Sequence, residues 1–454
     1  MKIYNPATGT VITEIPEDQP GVIKEKYELL RRGQKAWYAK GLEHRVRVLE
    51  KFRDLLEQEI EQVASVLTCE VGKPLQQSRN EINGACQRIQ WLSTHAGTYL
   101  ADEEMTREEK LIEKIVYEPL GVIANISAWN YPLLVGVNVF VPALLAGNAV
   151  LYKPSEYATL TGIHLCRILY EAGVPDDVFQ IVRGGKKAGE TLLELPLDGY
   201  FFTGSYKTGK YIYEKAALKM VICQCELGGK DPLYVADDVA DIKQVAAATA
   251  DGAFYNNGQS CCAVERIYVH EKVYSQYLEE FIKEVKSWKV GQPMEPGVYI
   301  GPLSRKEQIA FLEAQISDAV SKGAEIKTGG KRMPGAGYYF EPTVLTQVDH
   351  TMEVMREESF GPVIGIMKVK NDEEAILKMN DSAYGLTAAV YSREMDRALN
   401  ILNHMNSGSG YWNCCDRVSP ALPWSGRGHS GFGATLSHAG LWAFSRPKAY
   451  HLRG

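Results

Sequence analysis

Two adjacent thiols, Cys261 and Cys262, follow Gly258-Gln259-Ser260 at the end of a helical run that closes on Phe254. A thiolate is a strong nucleophile, so cysteines at such a boundary raise the possibility of covalent catalysis, although a lone Cys there more often serves as a small buried apolar residue. Thirty-five residues earlier, Glu226-Leu227-Gly228-Gly229-Lys230 sets a carboxylate at a strand end beside a Gly-Gly turn, where a general base has room to move. Trp129-Asn130-Tyr131-Pro132 follows another strand and offers a side-chain amide that could donate to an oxyanion. Lys153-Pro154-Ser155-Glu156 follows a third, and Arg356-Glu357-Glu358-Ser359-Phe360 lies further along.

These groups need a scaffold that brings strand ends together. From about Gly21 to Thr98 the text is helical, with Val48, Leu49, Phe52, Leu55 and Leu56 leading into Ile60 and Val63 at three and four spacing. Ile- and Val-rich runs at 111–116 and 122–126 read as strands. Strand then alternates with helix: 149–152 before 160–172, 179–182 before 187–194, and 199–202 before 206–218. That alternation predicts crossover units on a parallel sheet, a doubly wound, Rossmann-like unit that holds a nucleotide at its strand ends. A second α/β series follows Gly229, with strands near 233–235 and 266–269 and helices near 246–254 and 274–285.

Length and composition agree with two α/β units. The 454 residues exceed one domain and exclude a disulfide-stapled miniprotein. With 50 Lys plus Arg against 56 Asp plus Glu, a net charge of -6 and no basic stripe, nucleic acid is not expected as a partner. The most apolar stretch, 135–151, is broken by Asn138, Pro142, Gly147 and Asn148, so no membrane span is expected. The first ten residues lack a signal-peptide core, and a cytoplasmic chain is expected. Nine cysteines, six of them in three tight pairs, read as free thiols, and their spacing offers no metal site.

Two motifs compete for attention. Gly426-Arg427-Gly428-His429-Ser430-Gly431 satisfies the dinucleotide string, but no Val/Ile strand immediately precedes it and no acidic residue follows at the usual distance, which favours a tight packing loop. Gly204-Ser205-Tyr206-Lys207-Thr208-Gly209-Lys210-Tyr211 sits between strand and helix but carries Tyr where a magnesium-binding Ser or Thr belongs. It keeps a phosphate contact through a helix N-terminus as an open reading and makes ATP hydrolysis a weak one.

Taken together and in this order, the segments closely resemble the NAD(P)-dependent aldehyde dehydrogenase superfamily, from Asn5-Pro6-Ala7-Thr8-Gly9 through Asn380-Asp381-Ser382-Ala383-Tyr384-Gly385 to Ser430-Gly431-Phe432-Gly433. The resemblance implies that Cys261 attacks the aldehyde and that Asn130 holds the alkoxide. Hydride passes to the nicotinamide to leave a thioester, which Glu226-activated water hydrolyses to the acid. It assigns Trp129, Lys153, Glu156, Gly204, Ser205, Leu227, Glu358 and Phe360 to the cofactor. Glu156 favours NAD over NADP, because a carboxylate that accepts a ribose hydroxyl repels a 2'-phosphate.

The family fold divides the chain into a cofactor domain (1–98 and 120–228), a catalytic domain (229–428) and a small β oligomerisation arm (99–119 and 429–454), which implies a homodimer or homotetramer. The substrate is a small-molecule aldehyde. Relatives acting on succinate semialdehyde carry an Arg where this chain has Asn138, so that carboxylate anchor is missing; Arg417 in the segment lining the substrate mouth is a possible replacement. Trp424, Tyr131 and Phe254 suggest an apolar tunnel. The alternatives are a semialdehyde dehydrogenase, a CoA-acylating relative, and a non-catalytic member of the fold, the last opposed by the presence of both Cys261 and Glu226.

Overall fold

The computed structural model describes residues 1–454. The helical N-terminal text resolves into four helices, Pro20–Ala39, Leu42–Gln58, Ile60–Val71 and Leu75–Tyr99. Each presents an apolar stripe to the interior: Val48, Leu49, Phe52 and Leu56 are buried on the second, and Ile82, Ala85, Ile89 and Leu92 on the fourth. The third helix ends at Gly72, whose φ of 87° is a left-handed cap that a side chain would strain. With the helix Pro132–Ala146 the stripes of the second, third and fourth helices form part of a core of 40 buried residues against one face of a sheet, while the first helix sends Ile23, Tyr27 and Leu30 into a core of 20 against the other.

That sheet has six strands in the order Gly431–Phe432, Ile222–Glu226, Gly199–Thr203, Val122–Ile126, Ala149–Lys153, Phe179–Ile181. All neighbours are parallel except the antiparallel edge strand at 431–432. Later strands lie on both sides of Val122–Ile126, so the winding direction reverses there. In open α/β sheets a ligand crevice opens outside the carboxyl ends at such a switch point. The segments at those ends are 127–130, 153–156, 204–205 and 227–230.

The second sheet has seven strands in the order Glu325–Thr328, Thr343–Thr346, Val363–Val369, Val264–His270, Asp231–Val235, Thr387–Tyr391, Ser409–Trp412; only the first pair is antiparallel. Glu226 closes the last parallel strand of the first sheet and Asp231 opens a central strand of the second. The four residues between them join the sheets across the crevice. The fold is therefore the expected pair of α/β units.

Strands Glu103–Glu108, Leu111–Pro119 and Ser445–Arg453 form a third, antiparallel sheet with the middle strand half-buried throughout. The C-terminal segment expected as one part of this arm divides. Residues 431–432 join the six-stranded sheet and only 445–453 pair with the arm, because Gly431 lies so close to Cys225 that a Cβ would sit 1.9 Å from its carbonyl. The Gly426–Gly431 string is thus a packing loop, as its context suggested. No helix is long and apolar enough to cross a membrane.

Candidate active site

A groove of about 850 Å³ opens at the switch point. Trp129, Asn130, Lys153, Glu156, Gly204, Ser205, Leu227, Cys261, Glu358 and Phe360 line it, ten of the eleven residues given catalytic or cofactor roles from sequence. Glu226 does not; it ends the strand Ile222–Glu226 directly before Leu227 and is half-buried there. The expected tunnel aromatics scatter: Tyr131 and Trp424 are buried near the thiols, whereas Phe254 packs on Phe281 and Trp288 in the second core.

The thiol-bearing loop is held in an unusual backbone. Asn256 and Asn257 have φ of 53° and 59°, and Gly258 has 67°. Three consecutive left-handed residues turn the chain sharply, and Asn side chains tolerate this by bonding locally. Asn256 Nδ2 donates to the carbonyls of Asn130 and Gln259 at 3.2 and 3.1 Å, and Asn257 Nδ2 donates to that of Gly301. A Cβ on Gly258 would meet the Gly361 carbonyl at 2.4 Å. Asn130 in turn donates its side-chain Nδ2 to the Gln259 carbonyl at 3.1 Å, which places that amide beside the cysteine loop.

The two thiols differ. Cys261 faces the groove, while Cys262 is buried and donates to Asp416 Oδ1 at 3.0 Å. Cys261 beside it, burial and the Asp416 carboxylate hold the Cys262 thiol well above its ordinary pKa. Its thiolate is therefore disfavoured. Burial pushes the Asp416 carboxyl up to about 7.

Glu226 is likewise pushed up to about 7 by burial, while a hydrogen bond from Thr435 Oγ and the charge of Arg88 pull it down. A carboxyl poised there exchanges protons readily at neutral pH. Burial also pushes Glu358 up to about 8; its Oε1 accepts from the Gly229 N–H at 2.9 Å. The Gly-Gly turn has a steric reason, because a Cβ on Gly228 would sit 2.3 Å from the Glu358 carboxylate and one on Gly229 2.5 Å from the Cys261 carbonyl.

Further residues that position the site escaped the motif reading. Lys73 and Glu81 form an ion pair with both side chains fully buried. Glu81 Oε1 accepts from the Leu133 N–H at 2.9 Å and Lys73 lies 3.7 Å from the centroid of Tyr131, so the pair fixes the start of the helix directly after Asn130. Lys230 pairs with Glu265 at 2.6 Å, and Glu265 accepts from the N–H groups of Ser359 and Phe360, which anchors the Glu358 loop. Arg88 reaches Asn138: its Nη1 donates to Asn138 Oδ1 at 2.8 Å, so the position expected to lack a cation receives one from another helix. Arg417 contributes no ion pair, and its carbonyl accepts from Tyr411. The available sequence signal for Glu81 and Arg88 was charge on the apolar side of an amphipathic helix, where an unpaired charge is costly.

The groove suits an elongated anionic ligand bearing hydroxyls. The helix Tyr206–Ala217 points its N-terminus into it with no side-chain cap from Ser205 and no acid in its first turn. Lys153 Nζ is buried with one hydrogen bond, to the Pro154 carbonyl, and lies 3.9 Å from Glu156; burial lowers its pKa. Trp129 and Phe360 meet edge to face at 5.4 Å at the inner end.

Fold and groove are those of an α/β protein of the dinucleotide-binding class. Comparison with known proteins sharpens this. The model of the aldehyde dehydrogenase family matches residues 1–450. A peroxisomal aminoaldehyde dehydrogenase of Pisum sativum is 35% identical over 454 residues, covering 96% of this chain and 89% of that protein. A probable NADP(+) succinate-semialdehyde dehydrogenase of Sinorhizobium fredii is 31% identical, covering 97% and 90%. The crystal structure of a betaine aldehyde dehydrogenase from Staphylococcus aureus in complex with NAD+ superposes with a TM-score of 0.96 at 29% identity, covering 100% of this chain and 94% of that one. The chain belongs to the aldehyde dehydrogenase family, oxidoreductases that act on aldehydes with NAD(P).

Proposed function

We propose that the protein oxidises an aldehyde to its carboxylic acid, with Cys261 as nucleophile, Asn130 as oxyanion donor and Glu226 as the base that activates water. The observation that carries this reading is the pairing of one groove-facing thiol, Cys261, with a half-buried carboxyl poised near neutrality, Glu226. Cys261 adds to the aldehyde carbon, and the resulting alkoxide takes hydrogen bonds from the Asn130 amide and the Cys261 backbone N–H. When bound, the nicotinamide supplies the hydride acceptor. Glu226 then takes a proton from water as it attacks the Cys261 thioester, and the thiol is regenerated as the acid leaves.

Ser205 and the helix N-terminus behind it suit the pyrophosphate, Lys153 and Glu156 the adenosine ribose, and Glu358 the nicotinamide ribose, with Gly204, Leu227, Trp129 and Phe360 shaping the walls. We assign NAD over NADP, supported by Glu156, whose side chain is 45% exposed on the groove with only Lys153 to offset its charge. Residues 1–98 and 120–228 form the cofactor unit, 229–428 the catalytic unit, and the half-buried three-stranded sheet the contact of a homodimer or homotetramer. Nine free cysteines support a reducing, cytoplasmic setting.

The test is reduced-cofactor formation from a panel of aldehydes. Cys261→Ala should abolish it and Cys262→Ala should retain most of it; the reverse result overturns the assignment. Glu226 favours water over CoA as acyl acceptor, so added CoA should leave the rate unchanged.

A further inference from the structure

Arg88 does not line the groove, yet it brings a permanent positive charge within electrostatic range of Cys261 and Glu226. It projects from the helix Leu75–Tyr99, is 7% exposed, and makes no ion pair. Nη1 donates to the Leu134 carbonyl at 3.3 Å and to Asn138 Oδ1 at 2.8 Å, both on the helix that begins directly after Asn130. Nε and Nη2 donate to nothing in the protein, yet neither is sealed away from solvent-accessible space. The charge of Arg88 interacts with those of Glu226, Cys262, Glu81 and Cys261, two of which, Cys261 and Glu226, are the groups assigned above to the reaction.

A buried charge without a counter-charge is costly, and the neighbouring carboxyls do not supply one by contact. Glu81 is committed to Lys73 and to the N–H groups of Leu133 and Leu134. Glu226 is held by Thr435 and Asp416 by Cys262. Burial lets both of these take up a proton near neutrality, whereas a guanidinium stays charged. The lasting charge not matched by contact is therefore positive, and two of its donors are free to grip one planar anion.

We propose that Arg88 is a specificity-determining residue that pairs with a carboxylate at the far end of the substrate, so that the preferred aldehydes are ω-oxo acids, oxidised to dicarboxylates. This rests on Cys261 and Glu226 acting as assigned above. Arg88 touches the remote end of the substrate and takes no part in the bond changes at the aldehyde carbon. A substrate ammonium in the same place would meet like charge.

The experiment compares kcat/KM for 4-oxobutanoate and 5-oxopentanoate with that for butanal, pentanal and 4-aminobutanal. The wild type should prefer the oxo acids by at least about tenfold, and Arg88→Gln should lose about two orders of magnitude on them, mainly through KM, because one partner of a buried charge pair is gone. Its loss on butanal should be smaller by at least about tenfold, and Arg88→Lys should restore part of the preference. A wild type that oxidises butanal or 4-aminobutanal as well as the oxo acids overturns the proposal, as does an equal loss on every substrate in Arg88→Gln. Calorimetric binding of glutarate to the wild type needs neither turnover nor a folded variant, and absence of binding also overturns it. If no aldehyde at all is oxidised, the reading of Cys261 and Glu226 fails instead, while glutarate binding still reports on Arg88.

Discussion

If Glu226 activates water as proposed, its contact with Thr435 should set the pH dependence of turnover. Burial raises the Glu226 carboxyl from 4.5 to about 7, so at pH 6 only about one molecule in ten should carry the carboxylate that the proposed deacylation requires. Thr435 opposes that rise by donating a hydrogen bond to Oε1. A hydrogen bond to a charged group contributes about 1.5–3 kcal/mol, so Thr435→Val should move the carboxyl up by about one to two pH units. The assay is stopped-flow formation of reduced cofactor across pH. The first turnover should remain fast, while the ascending limb of the steady-state rate shifts to higher pH by that amount. An unmoved limb, or a burst and steady state that fall together, refutes the assignment of Glu226 to deacylation.

The same shift bears on stability with a definite sign. The carboxyl binds its proton more tightly in the folded state, so between about pH 4.5 and 7 the folded state holds more protons than the unfolded one. Stability therefore falls as pH rises through that window and is level above it. Glu226→Gln should stabilise the fold near pH 8, by about 3 kcal/mol at most, and leave it unchanged below about pH 4.5. An equal effect at both pH values would show that the carboxyl is not perturbed by folding.

Lys73→Met leaves Glu81 charged and unpaired in the core, and should destabilise the protein by about 3–5 kcal/mol in a denaturant titration; Lys73→Met with Glu81→Gln should recover most of that. A single variant as stable as wild type would remove the pair from the account of how the Asn130 turn is held. Glu156→Ser should raise the NADP-to-NAD ratio of kcat/KM by only about fivefold, because a half-exposed charge is screened to about 1 kcal/mol. An unchanged ratio would detach Glu156 from cofactor choice.

Much of the groove was legible in the chain because its residues sit where strands end, and strand ends are marked by local chemistry. Val122–Ile126, Ala149–Lys153 and Gly199–Thr203 announce themselves as short apolar runs, and Trp129, Asn130, Lys153, Glu156, Gly204 and Ser205 follow within a few residues. A parallel sheet then delivers them to one edge whatever the details of packing. The Gly228-Gly229 turn is readable for the same reason, since only a residue without Cβ allows the Glu358 carboxylate to come so near.

What the fold alone decided are the charges that have no local signature. Lys73 and Glu81 stand eight residues apart, Lys230 and Glu265 thirty-five, Arg88 and Asn138 fifty, and Thr435 and Glu226 two hundred and nine. Burial energy depends on what lies across the contact, and that is set by how helices and sheets stack. The chain thus determined which residues could do chemistry and which elements carry them. The tertiary structure determined which thiol faces the groove, which carboxyl is poised near neutrality, and where an unmatched guanidinium waits, because each of those depends on packing and desolvation by residues remote in sequence.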